Sequence, residues 1–144
     1  MRSKTNFCNI AVILLVLVSV GCAMRMYEGA AISPKKIAVI DTQATNLGLG
    51  YWMWPAIVSI DGKSTGKTPT WDSMRRFKRF EVLPGKHTLS VSVVSRHHSG
   101  RGQYELTPRH LSLEAKAGCV YCVKLLQKPG KKEWYPVIVE KTAQ

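Results

Sequence analysis

The chain has 144 residues, 45% of them hydrophobic and 21% charged, which suits one domain built around one core. Its 21 basic residues outnumber nine acidic ones, a formal charge of +12. The acids are scattered at positions such as Asp41, Asp61, Asp72 and Glu81, and no serine, histidine and acid fall together in a turn that would build a nucleophile site, so the composition argues against catalysis.

The first 21 residues stand apart from the fold. Arg2 and Lys4 form a basic start without an acid, and the apolar run "IAVILLVLVSV" at 10–20 follows. At about 1.5 Å per residue that run is too short to cross a hydrocarbon layer of about 30 Å. It ends in small residues ahead of a cysteine, the pattern of a cleaved export signal. Val20-Gly21-Cys22 resembles the lipobox of bacterial lipoproteins, with Ser19 where leucine or valine is usual. The resemblance implies cleavage before Cys22 and lipidation of its thiol; an ordinary secretory signal or a short membrane anchor are the competing readings. Several acyl chains on one cysteine hold a protein stably, since each buried CH₂ contributes about 0.8 kcal/mol. Ala23, in place of aspartate, implies sorting to the outer membrane on its periplasmic side.

Loss of Arg2 and Lys4 leaves 19 basic residues against nine acidic, a formal +10. In a cytosolic chain that surplus would suggest nucleic acid. Outside the cytoplasm the accessible polyanions are lipid head groups, lipopolysaccharide and cell-wall polymers.

Residues 22–34, "CAMRMYEGAAISP", lack periodicity and are expected to form a flexible tether, with a β-domain over 35–144. "KIAVI" (36–40) suits a buried strand, and "AIVSI" (56–60) runs into Asp61-Gly62, a dipeptide that supplies positive φ in a tight hairpin. "RFEVL" (79–83) meets the turn Pro84-Gly85. His87, Leu89, Val91 and Val93 then alternate with Thr88, Ser90 and Ser92, which predicts a strand with one buried face. "HLSLEA" (110–115) alternates again, Ala117-Gly118 turns into "CVYCVKLL" (119–126), and "WYPVIVE" (134–140) ends the series. No window after the signal carries a helical period. The expectation is all-β: a single antiparallel β-sandwich of six to seven short strands.

The stretch "IDGKSTGKTPTW" (60–71) contains two Gly-Lys pairs, each followed by a hydroxyl residue, and so suggests a phosphate-binding loop. Such a loop needs a glycine five positions ahead of the Gly-Lys-Ser/Thr glycine, because its backbone N–H groups must wrap the phosphates. The two registers put Asp61 and Ile57 there, and Pro69 opposes the helix the loop must open. Nucleotide binding is rejected. Asp61-Gly62-Lys63, Gly66-Lys67-Thr68-Pro69 and Leu83-Pro84-Gly85-Lys86-His87-Thr88-Leu89 together resemble the turn pattern of PEGA-type domains. Leu113 to Gly118 followed by Tyr121, and Met26-Tyr27-Glu28-Gly29, resemble segments of small bacterial lipoproteins of unknown function. The gap from Pro69 to Pro84 is longer than in the compact PEGA pattern, and "SRHHSGRG" stands where Gly-Tyr often ends it. The resemblance implies an extracytoplasmic β-sandwich and no enzymatic activity or cofactor.

Cys119 and Cys122 form a C-x-x-C pair, but their β-branched and aromatic neighbours place them on a strand. Residues three apart on a strand lie about 10 Å apart on opposite faces, beyond the Cα separation of about 7 Å that a disulfide tolerates. The expectation is Cys119 inward with Tyr121 and Val123, and Cys122 outward with Lys124. A metal or redox site there is the less favoured alternative, since no second C-x-x-C exists and His87, His97, His98 and His110 would have to come from elsewhere. His97-His98 sits in a polar, glycine-rich stretch that reads as a solvated loop.

The run "MRRFKRF" (74–80) places Arg75, Arg76, Lys78 and Arg79 together as a candidate anion-binding strip; charges that protect a sheet edge from aggregation explain it equally well. "YWMW" (51–54) is expected to pack in the core, with a sugar-stacking platform as the alternative. The whole therefore reads as a lipid-anchored, non-enzymatic envelope protein that binds an anionic polymer or lipid through its basic strip. The alternative is an accessory component that contacts another envelope protein through a sheet edge or through 51–54.

Overall fold

A strand that alternates apolar and polar side chains leaves water only by laying one face against a second sheet. The computed structural model describes residues 23–66, 79–97, 102–104, 107–131 and 133–141. In chain order its strands are β1 (Met24–Arg25), β2 (Ala38–Thr42), β3 (Thr45–Gly48), β4 (Tyr51–Ile60), β5 (Lys63–Ser64), β6 (Arg79–Val82), β7 (Gly85–His97), β8 (Gly102–Tyr104), β9 (Arg109–Ala115), β10 (Val120–Gln127) and β11 (Trp134–Lys141). One sheet has the order β1-β6-β2-β10-β11; the other runs β3-β4-β7-β8, with β5 paired to β4 and β9 to β7.

The two sheets face each other as a sandwich. Ala38, Ile40, Phe80, Val82, Tyr121 and Val123 from the first sheet meet Ile57, Ile60, Leu89, Val91, Leu113 and Ala115 from the second in one core. A smaller cluster joins Met53, Val93 and Leu125, with Trp134 against it. The all-β sandwich expected from the sequence is the fold found, and each of the seven predicted strands is present. The short strands β1, β3, β5 and β8 are additional, and β1–β6 and β2–β10 pair in parallel within the otherwise antiparallel sheets. Pro55 sits in β4 between the stretches paired with β3 and β5, where no described strand pairs with that side and a missing N–H is tolerated.

Along β7, side-chain burial departs from the expected alternation in one place. Ser92, expected to face solvent, is buried, as is Val94 beside it in sequence phase. Ser92 lies opposite Ala56 of β4 on the central strand of its sheet, in the short interval between the stretches of β7 paired with β9 and with β8.

Topology gives the sandwich two different ends. β6 passes to β7 through Leu83 and Pro84, and β9 passes to β10 through 116–119, so these two sheet-to-sheet crossings share one end, the crossing end, whereas β2 passes to β3 through Gln43 and Ala44 at the other. The Tyr121 hydroxyl pins the second crossing, accepting from the Lys116 N–H at 3.1 Å and donating to the Glu114 carbonyl at 3.4 Å. At the opposite end are the β3–β4 hairpin and the β10–β11 turn. Because β4 packs across β2 and β10 while β7 and β9 pack across β11, the outer strands β1 and β3 share one flank of the sandwich.

Within the segment 22–34, expected to be a flexible tether, residues 24–27 are docked. Met24 lies level with Phe80 and Arg25 with Glu81 in the parallel ladder. The Met26 N–H donates to the Glu81 carbonyl at 2.9 Å, the Tyr27 hydroxyl donates to the Glu81 carboxylate at 3.2 Å, and Met24 and Met26 pack on the core. Alternation could not reveal this, because a two-residue strand has no period of its own and exists only through its partner.

Phe80 joins the two sheets and is 1% exposed. Phe80→Ala is expected to lower the unfolding free energy by about 3–5 kcal/mol, read from urea denaturation; a loss below roughly 1 kcal/mol, the size of a surface change, would contradict this packing.

Candidate functional site

The crossing end brings the predicted turn signatures together as a structural clasp. Asp61 (φ 53°) and Gly62 (φ 76°) form the two-residue turn from β4 to β5, with both positions in the left-handed region that a hairpin of this type requires. The His87 ring donates from Nδ1 to Asp61 Oδ2 at 2.6 Å and from Nε2 to the Leu83 carbonyl at 2.7 Å. Both partners are acceptors, so the imidazolium form satisfies both bonds. Asp61 Oδ1 also accepts the Thr88 N–H at 2.8 Å. Burial pulls the Asp61 carboxyl upward, but the His87 hydrogen bond, the Thr88 N–H and the charge on the ring outweigh it and hold Asp61 below the usual carboxylate range. Every group of the clasp is used in joining turns. The Gly-Lys stretch thus opens as a tight hairpin, and Thr65, 2% exposed, secures it by donating to the Ile57 carbonyl at 2.8 Å.

The cysteine pair gives no paired chemistry. Both thiols are free. Cys119 is half-buried against the core, as expected, whereas Cys122, expected to face solvent, is 3% exposed. It lies on the outer face of the first sheet between Asp41 and Val139, and its thiol is 3.6 Å from Gln43 Oε1. Its neighbours cover that face: Asp41 holds Lys141 at 3.3 Å and Arg79 at 3.6 Å. Burial pushes the Cys122 thiol up, and Lys141 only partly opposes it, so the group is a poor nucleophile. Among the described residues no three or more histidine, cysteine or acidic side chains gather as a metal site. His110 Nδ1 is instead 3.1 Å from the Ser90 hydroxyl, and His97 ends β7 opposite Tyr51.

Of the candidate basic strip, Arg79 opens β6, about half exposed and paired with Asp41; Arg75, Arg76 and Lys78 lie outside the described residues, as do Cys22 and His98. Arg25 lies beside Arg79 on the same flank and pairs with Glu81 at 3.8 Å. Such exposed pairs contribute little to stability, typically under about 1 kcal/mol.

The feature that sequence reasoning missed is the β3–β4 hairpin. The nineteen residues from Thr42 to Ile60 carry no charge. Of 51–54, expected to pack in the core, Met53 is buried and Trp54 half-buried, but Tyr51 and Trp52 are exposed at 48% and 45%. Leu47, in a bulge between Asn46 and Gly48, is also exposed. The tip, Gly48-Leu49-Gly50, has positive φ at all three positions, 80°, 49° and 78°. Leu49 is 92% exposed there. A leucine in the left-handed region costs on the order of 1 kcal/mol, and asparagine or glycine would suit the turn better. An apolar side chain has been placed where neither backbone nor burial favours it. Tyr51 and Trp52 project to opposite sides of the ribbon because neighbours on a strand alternate, which leaves the hairpin apolar on both faces. The available signal was the uncharged run ending in Gly-Leu-Gly.

Comparison with protein-family models, with curated proteins and with solved structures finds no match to this chain.

The clasp predicts an acid dependence. A carboxylate held below its unfolded value stabilises the fold fully above about pH 3.9 and loses that contribution as pH falls through the folded value. Asn at position 61 preserves the turn and removes the charge. Asp61→Asn is therefore expected to cost about 1 kcal/mol near neutrality, after allowance for solvent screening, with the gap to wild type closing in acid. Urea denaturation across pH checks this; a gap independent of pH would contradict it.

Proposed function

We propose that the chain is a lipid-anchored protein of the bacterial cell envelope, placed on the periplasmic side of the outer membrane, whose β-sandwich binds an anionic envelope surface and performs no catalysis. The observation that carries this reading is the place of the first described strand. β1 begins at Met24 and Met24 and Met26 pack on the core, so a chain cleaved before Cys22 would carry its anchoring cysteine two residues from that strand. The resemblance of 20–22 to a lipobox supplies the chemistry, and the turn pattern resembling PEGA-type domains, whose Asp61 and His87 meet directly, agrees with an extracytoplasmic sandwich.

The charge distribution supports an anionic partner. The processed chain carries a formal +10, and Arg25 and Arg79, both about half exposed, flank the point of entry. Their contacts to Glu81 and Asp41 are long and solvent-exposed, so an anionic surface can compete for them. The run through Arg75, Arg76 and Lys78 leads into Arg79 by sequence.

Two measurements test the reading. Cys22→Ser is expected to abolish acyl labelling of the chain; labelling that persists removes the lipoprotein assignment. Charge reversal at Arg75, Arg76, Lys78 and Arg79 is expected to weaken binding to anionic vesicles or cell-wall sacculi by roughly tenfold or more, given about 1 kcal/mol for each basic residue near such a surface. Failure of the wild-type protein to bind either surface would remove the anionic-partner assignment.

A further inference from the structure

The β3–β4 hairpin has no role in the clasp or the main core, and its position relative to the chain's point of entry gives it one. β2 runs antiparallel to β6 and ends level with the start of β6, then leads through Gln43 and Ala44 into β3 and the hairpin tip. β1 runs parallel to β6, so the chain enters β1 from that same direction. The entry point and the hairpin therefore share one flank of the sandwich, and both are directed to the end opposite the β6–β7 and β9–β10 crossings. A chain held to a bilayer at Cys22 has only Ala23 between its anchor and the first strand. So short a link keeps this flank against the membrane.

We propose that the 45–52 hairpin is a bilayer-contacting finger, with Leu47, Leu49, Tyr51 and Trp52 entering the head-group region of an anionic bilayer beside the anchor. This rests on the lipid-anchor reading above. The chemistry of the finger fits that medium. Tyrosine and tryptophan favour the membrane–water interface because each joins an apolar ring to a polar group. A protein groove would cover one face of the ribbon, whereas its exposed apolar side chains lie on both faces and at the tip, as insertion into a fluid apolar medium requires. The finger carries no charge, and Lys128 and Lys131, in the β10–β11 turn at the same end, are exposed where lipid phosphates would lie. The left-handed leucine at the tip, disfavoured in water, gains its burial when the finger enters the bilayer.

The test uses the full chain, purified with its anchor and reconstituted into vesicles of phosphatidylethanolamine and phosphatidylglycerol with lipids brominated on their acyl chains. Bromine is expected to quench tryptophan emission, with Trp52→Phe removing most of the quenching. Leu49→Asp, which changes a side chain 92% exposed, is expected to restore emission while the circular dichroism spectrum stays unchanged. Quenching that is the same in wild type and both variants overturns the finger. Acyl label on Cys22 without Trp52-dependent quenching also overturns it and leaves the anchor standing. Trp52-dependent quenching without acyl label supports the finger and removes the anchor reading. A photo-crosslinker at position 49 that captures an envelope protein in native membranes, with no quenching in vesicles, overturns the bilayer as occupant in favour of a protein.

Discussion

The parallel pairing of Met24 and Arg25 with Phe80 and Glu81 fixes where the N-terminal segment joins the sandwich. Two residues of ladder would be a weak attachment alone. They are reinforced by the Met26 N–H on the Glu81 carbonyl, by the Tyr27 hydroxyl on the Glu81 carboxylate, and by Met24 and Met26 against the core. Because β6 continues at once into β7 through Leu83 and Pro84, anything that holds β1 also orients the second sheet. A domain joined to its anchor by a long tether would sample every orientation; one whose first strand begins two residues after the anchoring cysteine would present a defined flank to the membrane.

The two ends of the sandwich then divide the work. At the crossing end, polar groups are consumed internally: His87 uses both ring nitrogens, Asp61 both carboxylate oxygens, and the Tyr121 hydroxyl both donates and accepts. Such saturation makes a rigid closure and leaves little to engage a ligand. At the hairpin end the pattern reverses, with apolar side chains left in water around a turn of unfavourable backbone geometry. Exposed apolar surface of this kind is costly unless something covers it. The proposed bilayer contact removes that cost and draws the nearby lysines and arginines to an anionic surface.

The principal strands were legible by two signals: β7 and β9 alternate apolar and polar residues because one face is buried, whereas β2 announces itself as a continuous apolar run, "KIAVI". The turns were legible for a different reason: Asp61-Gly62 and Pro84-Gly85 are chosen for backbone conformation, which is local. What tertiary partners decide was not legible. β1 exists only through β6, and β3, "TNLG", has neither a period nor β-branched residues beyond Thr45. Cys122 was expected outside on its strand phase, correctly as to face, yet Asp41, Gln43 and Lys141 come from other segments to cover it. Tyr51 and Trp52 were expected inside on hydrophobicity, but β4 extends past the main core, and only Met53 and Trp54 lie deep enough to be covered. The His87–Asp61 contact joins two turns that each announced themselves separately, across 26 residues of chain.

The central claim is that the flank carrying β1 and the β3–β4 hairpin faces the bilayer. Hydrogen exchange read peptide by peptide tests it most directly, comparing the full chain reconstituted in anionic proteoliposomes with the same chain free of lipid. The account predicts slower exchange on the membrane for amides of 45–52 and no change at the Asp61-Gly62 and Pro84-Gly85 turns. Unchanged exchange at the hairpin, or slowing confined to those turns, would contradict it.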